Sequence, residues 1–202
     1  MSDVILLSGG IESCTLLHKL HTSHELHPLF IDYGQRAGKQ EYRAALHHCK
    51  LLGLTLKKLD MAQTGHDFRA GQSKKLHVPL PHRNLVALSL GLSYATQIGA
   101  NRLLLALNRE DTQSYPSASE TFIAKFRAMA EVLGDIELAV PLCADTKAQI
   151  IQQGHLLGVD YSQTYSCLLG HAQHCGHCPQ CLHRREAFRQ AEIQEPNGFY
   201  RA

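Results

Sequence analysis

The 202-residue sequence lacks a strong charge of either sign: 20 Lys and Arg face 18 Asp and Glu, a formal net charge of +2 with histidine neutral. No large field favours nucleic acid or an anionic membrane, so small molecules are the expected ligands. The chain also lacks any stretch near the ~18 consecutive apolar residues that a bilayer-spanning helix needs. Its first apolar run, Val4-Ile5-Leu6-Leu7, is too short for a signal-peptide core and has no basic segment before it. A soluble, cytoplasmic protein is expected. Polar low-complexity sequence is missing as well, and 44% hydrophobic with 19% charged residues is the balance of a folding globular chain. Its length suits one domain over 1–202.

Two familiar phosphate motifs are absent. Neither G-x-G-x-x-G nor G-x-x-x-x-G-K-[ST] occurs; the nearest stretch, Gly34-Gln35-Arg36-Ala37-Gly38-Lys39-Gln40, is one residue short and lacks the hydroxyl. A Rossmann dehydrogenase or an ordinary kinase is therefore disfavoured. A disulfide framework is missing too. Of seven cysteines, Cys14, Cys49 and Cys143 lie scattered in apolar surroundings, where a reduced, buried thiol is expected, and this points to a reducing compartment.

What is present alternates. Val4–Leu7 reads as a strand buried on both faces, stopped by Ser8-Gly9-Gly10, and apolar residues from Ile11 to Leu20 recur at helical spacing, predicting a helix from Glu12 to His21. A second strand spans Leu26–Asp32, a helix Lys39–Leu52 closes at Gly53, and Leu54–Leu59 alternates like a half-buried strand near a sheet edge. Residues 60–82 read as a long irregular connection, a candidate lid. Beyond it the pattern predicts helices at Asn84–Ile98, Thr121–Leu133 and Lys147–Leu157, with strands at Leu103–Leu107 and Ile136–Val140. Such alternation implies an α/β fold on a parallel sheet.

Two segments carry chemistry. Ser8-Gly9-Gly10-Ile11-Glu12-Ser13 joins a buried strand to a helix N-terminus, where free N–H groups and the helix dipole make an anion site; taken alone, the segment reads equally as a capped turn. Near the C-terminus, Cys167 precedes Cys175-Gly176-His177-Cys178-Pro179-Gln180-Cys181, and four thiolates at these spacings close a tetrahedral Zn²⁺ site within a segment at about 160–190. Glycine and proline between the cysteines are turn residues, which speaks against unligated core thiols. A cubane ferredoxin run would want a further cysteine where Arg185 stands, so zinc is favoured over iron–sulfur. His171, His174, His177 and His183 are alternative ligands, less favoured than an all-cysteine set.

S-G-G-x-[DE]-S after the first strand resembles the pyrophosphate loop of the N-type ATP pyrophosphatases, which include asparagine, argininosuccinate and NAD synthetases and tRNA-thiolating enzymes. The following motifs occur in order: Asp32-Tyr33-Gly34-Gln35-Arg36 with Glu41, Val78-Pro79, Pro81-His82-Arg83-Asn84, Asn108 with Asp111, Tyr115-Pro116 and Phe122. Pro141-Leu142, Lys147, Gly158-Val159, Thr164-Tyr165-Ser166-Cys167, the cysteine trio, Arg184 or Arg185, and Ala187-Phe188 complete the series. This set resembles the 7-cyano-7-deazaguanine synthase family nearly end to end.

The resemblance implies a Rossmann-like ATP-pyrophosphatase fold, a place in queuosine biosynthesis, and a homodimer using ATP, Mg²⁺ and Zn²⁺. Its substrates would be a 7-deazapurine carboxylate and ammonia, with no direct nucleic-acid partner. It assigns Glu12, Ser13, Arg36, Arg83 and Lys147 to catalysis. Leu7, Ser8, Gly9, Gly10, Ile11, Glu12, Ser13, Asp32, Tyr33 and Gln35 would bind ATP. Arg83, Asn84, Asp111, Tyr115 and Phe122 would bind the deazapurine, and Cys167, Cys175, Cys178 and Cys181 zinc. On its own, each arginine reads as a surface ion-pair partner worth under about 1 kcal/mol. Lys147, a cation at a helix N-terminus, is best explained by a phosphate beside it. Three positions depart from the family pattern: Glu12 replaces Asp, His82 replaces Gly, and Ser117-Ala118 replaces Asp-Cys. A paralog acting on another carboxylate or amine, or a non-catalytic zinc-stabilised nucleotide-binding partner protein, is the alternative expectation.

Overall fold

The computed structural model describes residues 1–70, 80–195 and 198–201. Five strands, β1 (Ser2–Leu6), β2 (Glu25–Asp32), β3 (Lys57–Asp60), β4 (Arg102–Leu104) and β5 (Glu137–Ala139), form one sheet of order β3-β2-β1-β4-β5. Every pairing is parallel; in the centre Ile5 is in register with Pro28 on one side and Leu104 on the other. The central position of β1 follows from its side chains. Ile5 and Leu7 pack into one apolar cluster with α1 (Ile11–Leu20) and α7 (Lys147–Leu156). Val4 and Leu6 pack into another with α4 (Arg83–Ile98) and α6 (Glu120–Leu133). A strand apolar at successive positions can bury both faces only inside such a sandwich.

α2 (Gly38–Leu51) crosses from β2 to the edge strand β3, and α8 (Pro179–Ala191) ends the fold. A third cluster gathers Ala37 and Ala44 of the α2 region with Tyr165 and the four late cysteines. No helix among the described residues is long and apolar enough to cross a membrane.

Several sequence expectations need correction. The connection after β3 is not wholly irregular: Ala62–Arg69 forms helix α3, while 71–79, which includes Val78-Pro79, lies outside the described residues. β3 begins at Lys57 rather than Leu54, and β4 stops at Leu104, whose register partner on β1 is Ile5. The short helix α5 (Arg109–Ser114) was not foreseen; it buries no side chain and rests on an Asn108–Asp111 capping box. Cys143 is exposed, unlike buried Cys14 and Cys49.

His82 sits at the start of α4 with φ 51°, in the left-handed region. Glycine populates that region without a Cβ penalty, which gives a physical reason for glycine in the family pattern and for strain with histidine here.

Candidate active site

In a parallel α/β sheet, ligands bind beyond the carboxyl ends of the strands, where the chain order reverses. Here that point lies between β1 and β4, and a cavity of about 290 Å³ opens there. Its walls come from the turn after β1, the segment after β2, the starts of α4 and α7, Leu105–Leu107 and residues around Tyr165. Wider depressions exist, one of about 550 Å³ beside Arg109, Glu120 and Cys143, but that one lies away from the turn after β1. The cleft at the switch point is the site on chemical grounds.

The turn is held tightly. Gly9 has φ 78°, and a Cβ there would lie 2.3 Å from the Glu41 carbonyl, so only glycine allows α2 to pack under the loop. Tyr165 donates its N–H to the Gly9 carbonyl at 2.8 Å, and the Ser8 and Ser13 hydroxyls lie 3.1 Å apart. Gly10 precedes the first residue of α1, whose leading N–H groups have no helical acceptor.

Opposite stands Lys147, the first residue of α7, after a Thr146–Gln149 capping box. Its Nζ lies 2.7 Å from Glu12 Oε1, and Asn108 Nδ2 donates to the same oxygen at 2.8 Å. Burial works to raise the Glu12 pKa, but the Lys147 charge and these hydrogen bonds hold it below its ordinary value. Lys147 is raised: burial opposes its charge, and Glu12 more than compensates. Asp111 is shifted up, by burial first and then by Glu12, which together outweigh the pull of the Lys147 charge. Glu41, also in the wall, is pushed up to about 7 by burial, against the pull of Gln35 and Arg83.

Of the residues singled out in the sequence, Leu7, Ser8, Gly10, Glu12, Ser13, Tyr33, Gln35, Arg83, Asn84, Asp111, Tyr115 and Lys147 line this one cleft. Gly9 and Ile11 are buried behind it. Asp32 points elsewhere, accepting the Gly34 N–H at 3.1 Å and pairing with Lys58 at 2.9 Å. Arg36 is exposed outside the cleft, and Phe122 packs with Phe126 at a centroid distance of 6.4 Å. Sequence reasoning gave no role to Glu41, Tyr165, Ser166, Leu168 or Ala118, all of which face the cavity. All but Leu168 belong to motifs quoted from the sequence, but their distance along the chain hid that they meet at one cleft.

Cys167, Cys175, Cys178 and Cys181 are buried, with their sulfurs all within 4.8 Å of one another. A tetrahedral zinc with bonds of about 2.3 Å separates its sulfurs by about 3.8 Å. Cys175 and Cys181 are 3.9 Å apart, far beyond a disulfide bond. Against burial, N–H groups of His177 and Cys178 bring Cys175 down to about 6, while burial and the neighbouring thiols push Cys167 and Cys181 up, as is expected of four sulfurs crowded together without a cation. The four residues fit a metal, and four protein ligands leave no open position.

Sheet order and turn define the class: a parallel, Rossmann-like α/β fold of the ATP-pyrophosphatase type. The family model described as Queuosine biosynthesis protein QueC matches residues 2–192, and the chain belongs to that family. The 7-cyano-7-deazaguanine synthase 1 of Sulfurisphaera tokodaii is 32% identical over 200 residues, covering 98% of this chain and 98% of that protein. The 7-cyano-7-deazaguanine synthase of Magnetococcus marinus is 34% identical over 224 residues, covering 98% and 97%. Among solved structures, the NH3-dependent NAD synthetase from Campylobacter jejuni has the same fold, with a TM-score of 0.57 at 17% identity. It covers 79% of this chain, which spans 65% of that one.

Proposed function

We propose that this chain uses ATP to activate the carboxylate of 7-carboxy-7-deazaguanine and converts it with ammonia, through an amide, to the nitrile. One observation carries the reading: the glycine turn at the N-terminus of α1 and the Lys147 ammonium share a single cleft at the carboxyl ends of the strands. Such a turn offers N–H groups to phosphate, and a cation across the cleft offsets the charge of the leaving pyrophosphate. Full-length similarity to 7-cyano-7-deazaguanine synthases supports the choice of substrate.

In this reading a substrate carboxylate oxygen attacks the α-phosphorus, pyrophosphate leaves, and an acyl-adenylate remains. Ammonia forms the C–N bond, AMP departs and an amide results. The amide oxygen then attacks a second ATP, and loss of AMP with two nitrogen-bound protons leaves the nitrile. Lys147 exchanges Glu12 for a phosphate oxygen, and Ser13 holds the same group by its hydroxyl. Arg83, Asn84 and Tyr115 would contact the base; Arg36 has no step. Glu12 and Asp111, two carboxylates sharing the single Lys147 charge, would hold Mg²⁺, which would supply charge stabilisation to the departing phosphates. Zinc, on the cysteines, would be structural.

The test is pyrophosphate release with 7-carboxy-7-deazaguanine and ammonia. Two pyrophosphates per nitrile are expected, and Lys147→Met should lower the rate about 100-fold or more. Absence of substrate-dependent pyrophosphate would reject the assignment, and ATP binding without any turnover would favour a non-catalytic partner protein. A second reading, a different carboxylate or amine, draws on the wall itself. Ala118 faces the cavity and the Ser117 carbonyl accepts Asn84 Nδ2 at 3.0 Å, where the family pattern has Cys and Asp. Product mass separates the two.

A further inference from the structure

Glu41 faces the cleft without a part in the steps above. Its helix packs under the phosphate loop, and its carboxyl is anchored through one oxygen only. Gln35 accepts the Tyr33 N–H on Oε1 at 3.0 Å, which fixes the orientation of the amide, and donates Nε2 to Glu41 Oε2 at 2.9 Å. Among the described residues Glu41 Oε1 takes no hydrogen bond, and the side chain borders the cavity.

Amination needs what this oxygen can do. Ammonium, the main form at neutral pH, must lose a proton before its nitrogen can attack, and the nitrogen sheds three more before it is a nitrile. Lys147 and Arg83 are cations and accept none. Glu12 is committed to Lys147 and Asn108, and Asp111 caps the Asn108 N–H. Among the described residues Glu12 and Asp111 also keep one oxygen each without a hydrogen bond from another residue, but both lie under the Lys147 charge at the phosphate end of the cleft, whereas the charges acting on Glu41 are Arg83 and Asp32.

We propose that Glu41 is the general base of amination, resting on the adenylation reading above: it binds ammonium through Oε1 and accepts its proton. The freed lone pair then forms the C–N bond at the acyl carbon, and the carbon–oxygen bond to phosphate breaks with its electrons leaving on AMP. Glu41 passes its proton to solvent at the open cleft and takes the next from the new nitrogen. Asp32 and Arg83 act on this carboxyl with opposite charge, and the phenols of Tyr33 and Tyr165 lie near it. A carboxyl that titrates near neutrality is matched to both accepting and releasing protons.

Glu41→Gln keeps the Gln35 hydrogen bond and removes the base. Two rates separate the roles: carboxylate-dependent exchange of pyrophosphate into ATP without ammonia, and ammonia-dependent product formation across pH. In Glu41→Gln the ratio of amination to exchange should fall about 100-fold or more. The wild-type inflection near neutral pH should vanish, leaving residual amination that climbs with pH as free ammonia replaces ammonium. Glu41→Asp should recover part of the ratio. Equal loss of both rates, or unchanged amination, overturns the proposal and leaves adenylation standing. No exchange in the wild type overturns adenylation and this proposal with it.

Discussion

His48 is fully buried between α1 and α2, and only one of its ring nitrogens has a partner. Nδ1 lies 3.0 Å from His18 Nε2, while Nε2 is buried with no hydrogen bond. Protonation would bury a second N–H with no acceptor beside two other imidazoles, so burial first, then His18 and His47, bring the His48 pKa down to about 4. The sign of the linkage follows. The folded state prefers neutral His48, so its contribution is present above the unfolded pKa near 6.5 and is lost as pH falls toward 4. Between pH 7 and 4.5 the loss from this residue should be about 2 kcal/mol. Urea unfolding at both pH values measures it, and His48→Leu should show a smaller drop over the interval. An equal drop would place the acid sensitivity elsewhere.

α8 carries a charge inside its buried stripe, which is why sequence periodicity did not announce it. Its buried positions are Cys181, Arg184, Ala187, Phe188 and Ala191, an i, i+3, i+4 series with arginine in the middle. Arg184 is fully buried and donates to Glu195 at 2.6 Å, to Thr164 at 2.8 Å and to the Tyr161 carbonyl at 2.8 Å, beneath the Phe199 ring. Arg184→Met should lower unfolding free energy by about 3 kcal/mol, because it leaves the Glu195 carboxylate unpaired and Tyr161 and Thr164 short of a donor. Arg184→Lys should restore only part, since an ammonium cannot reach all three acceptors; full restoration in chemical denaturation would refute the fork geometry. Elements with plain periodicity were legible: the five expected helices, α1, α2, α4, α6 and α7, fell within about a residue of their observed ends. Strand ends were not. Leu105–Leu107 continue the apolar run of β4 because they wall the cleft, and an apolar wall reads the same as an apolar strand.

The two chemical segments of the molecule, far apart in sequence, meet through one residue. Tyr165, two positions before the first metal-site cysteine, donates its N–H to Gly9 of the phosphate loop and faces the cleft with Ser166 and Leu168. Each motif was readable by itself, the loop from its glycines and the cysteines from their spacing. Their junction was not, since nothing local marks Tyr165 as the third wall of a site begun at Ser8. The junction couples metal content to the nucleotide site. Native mass spectrometry should find one zinc per chain, and visible absorbance with acid-labile sulfide would instead identify an iron–sulfur cluster. Stripping the metal with a strong chelator should lower Tm by an amount on the order of 10 °C, because binding free energy in such a site is folding free energy. It should also weaken ATP binding measured at a temperature where the fold persists, because the Gly9 carbonyl loses a fixed donor and the loop its backing. Cys178→Ser should reproduce both effects without chelator. Unchanged ATP affinity in the metal-free chain would show that the loop holds its shape on Gly9 and α2 alone.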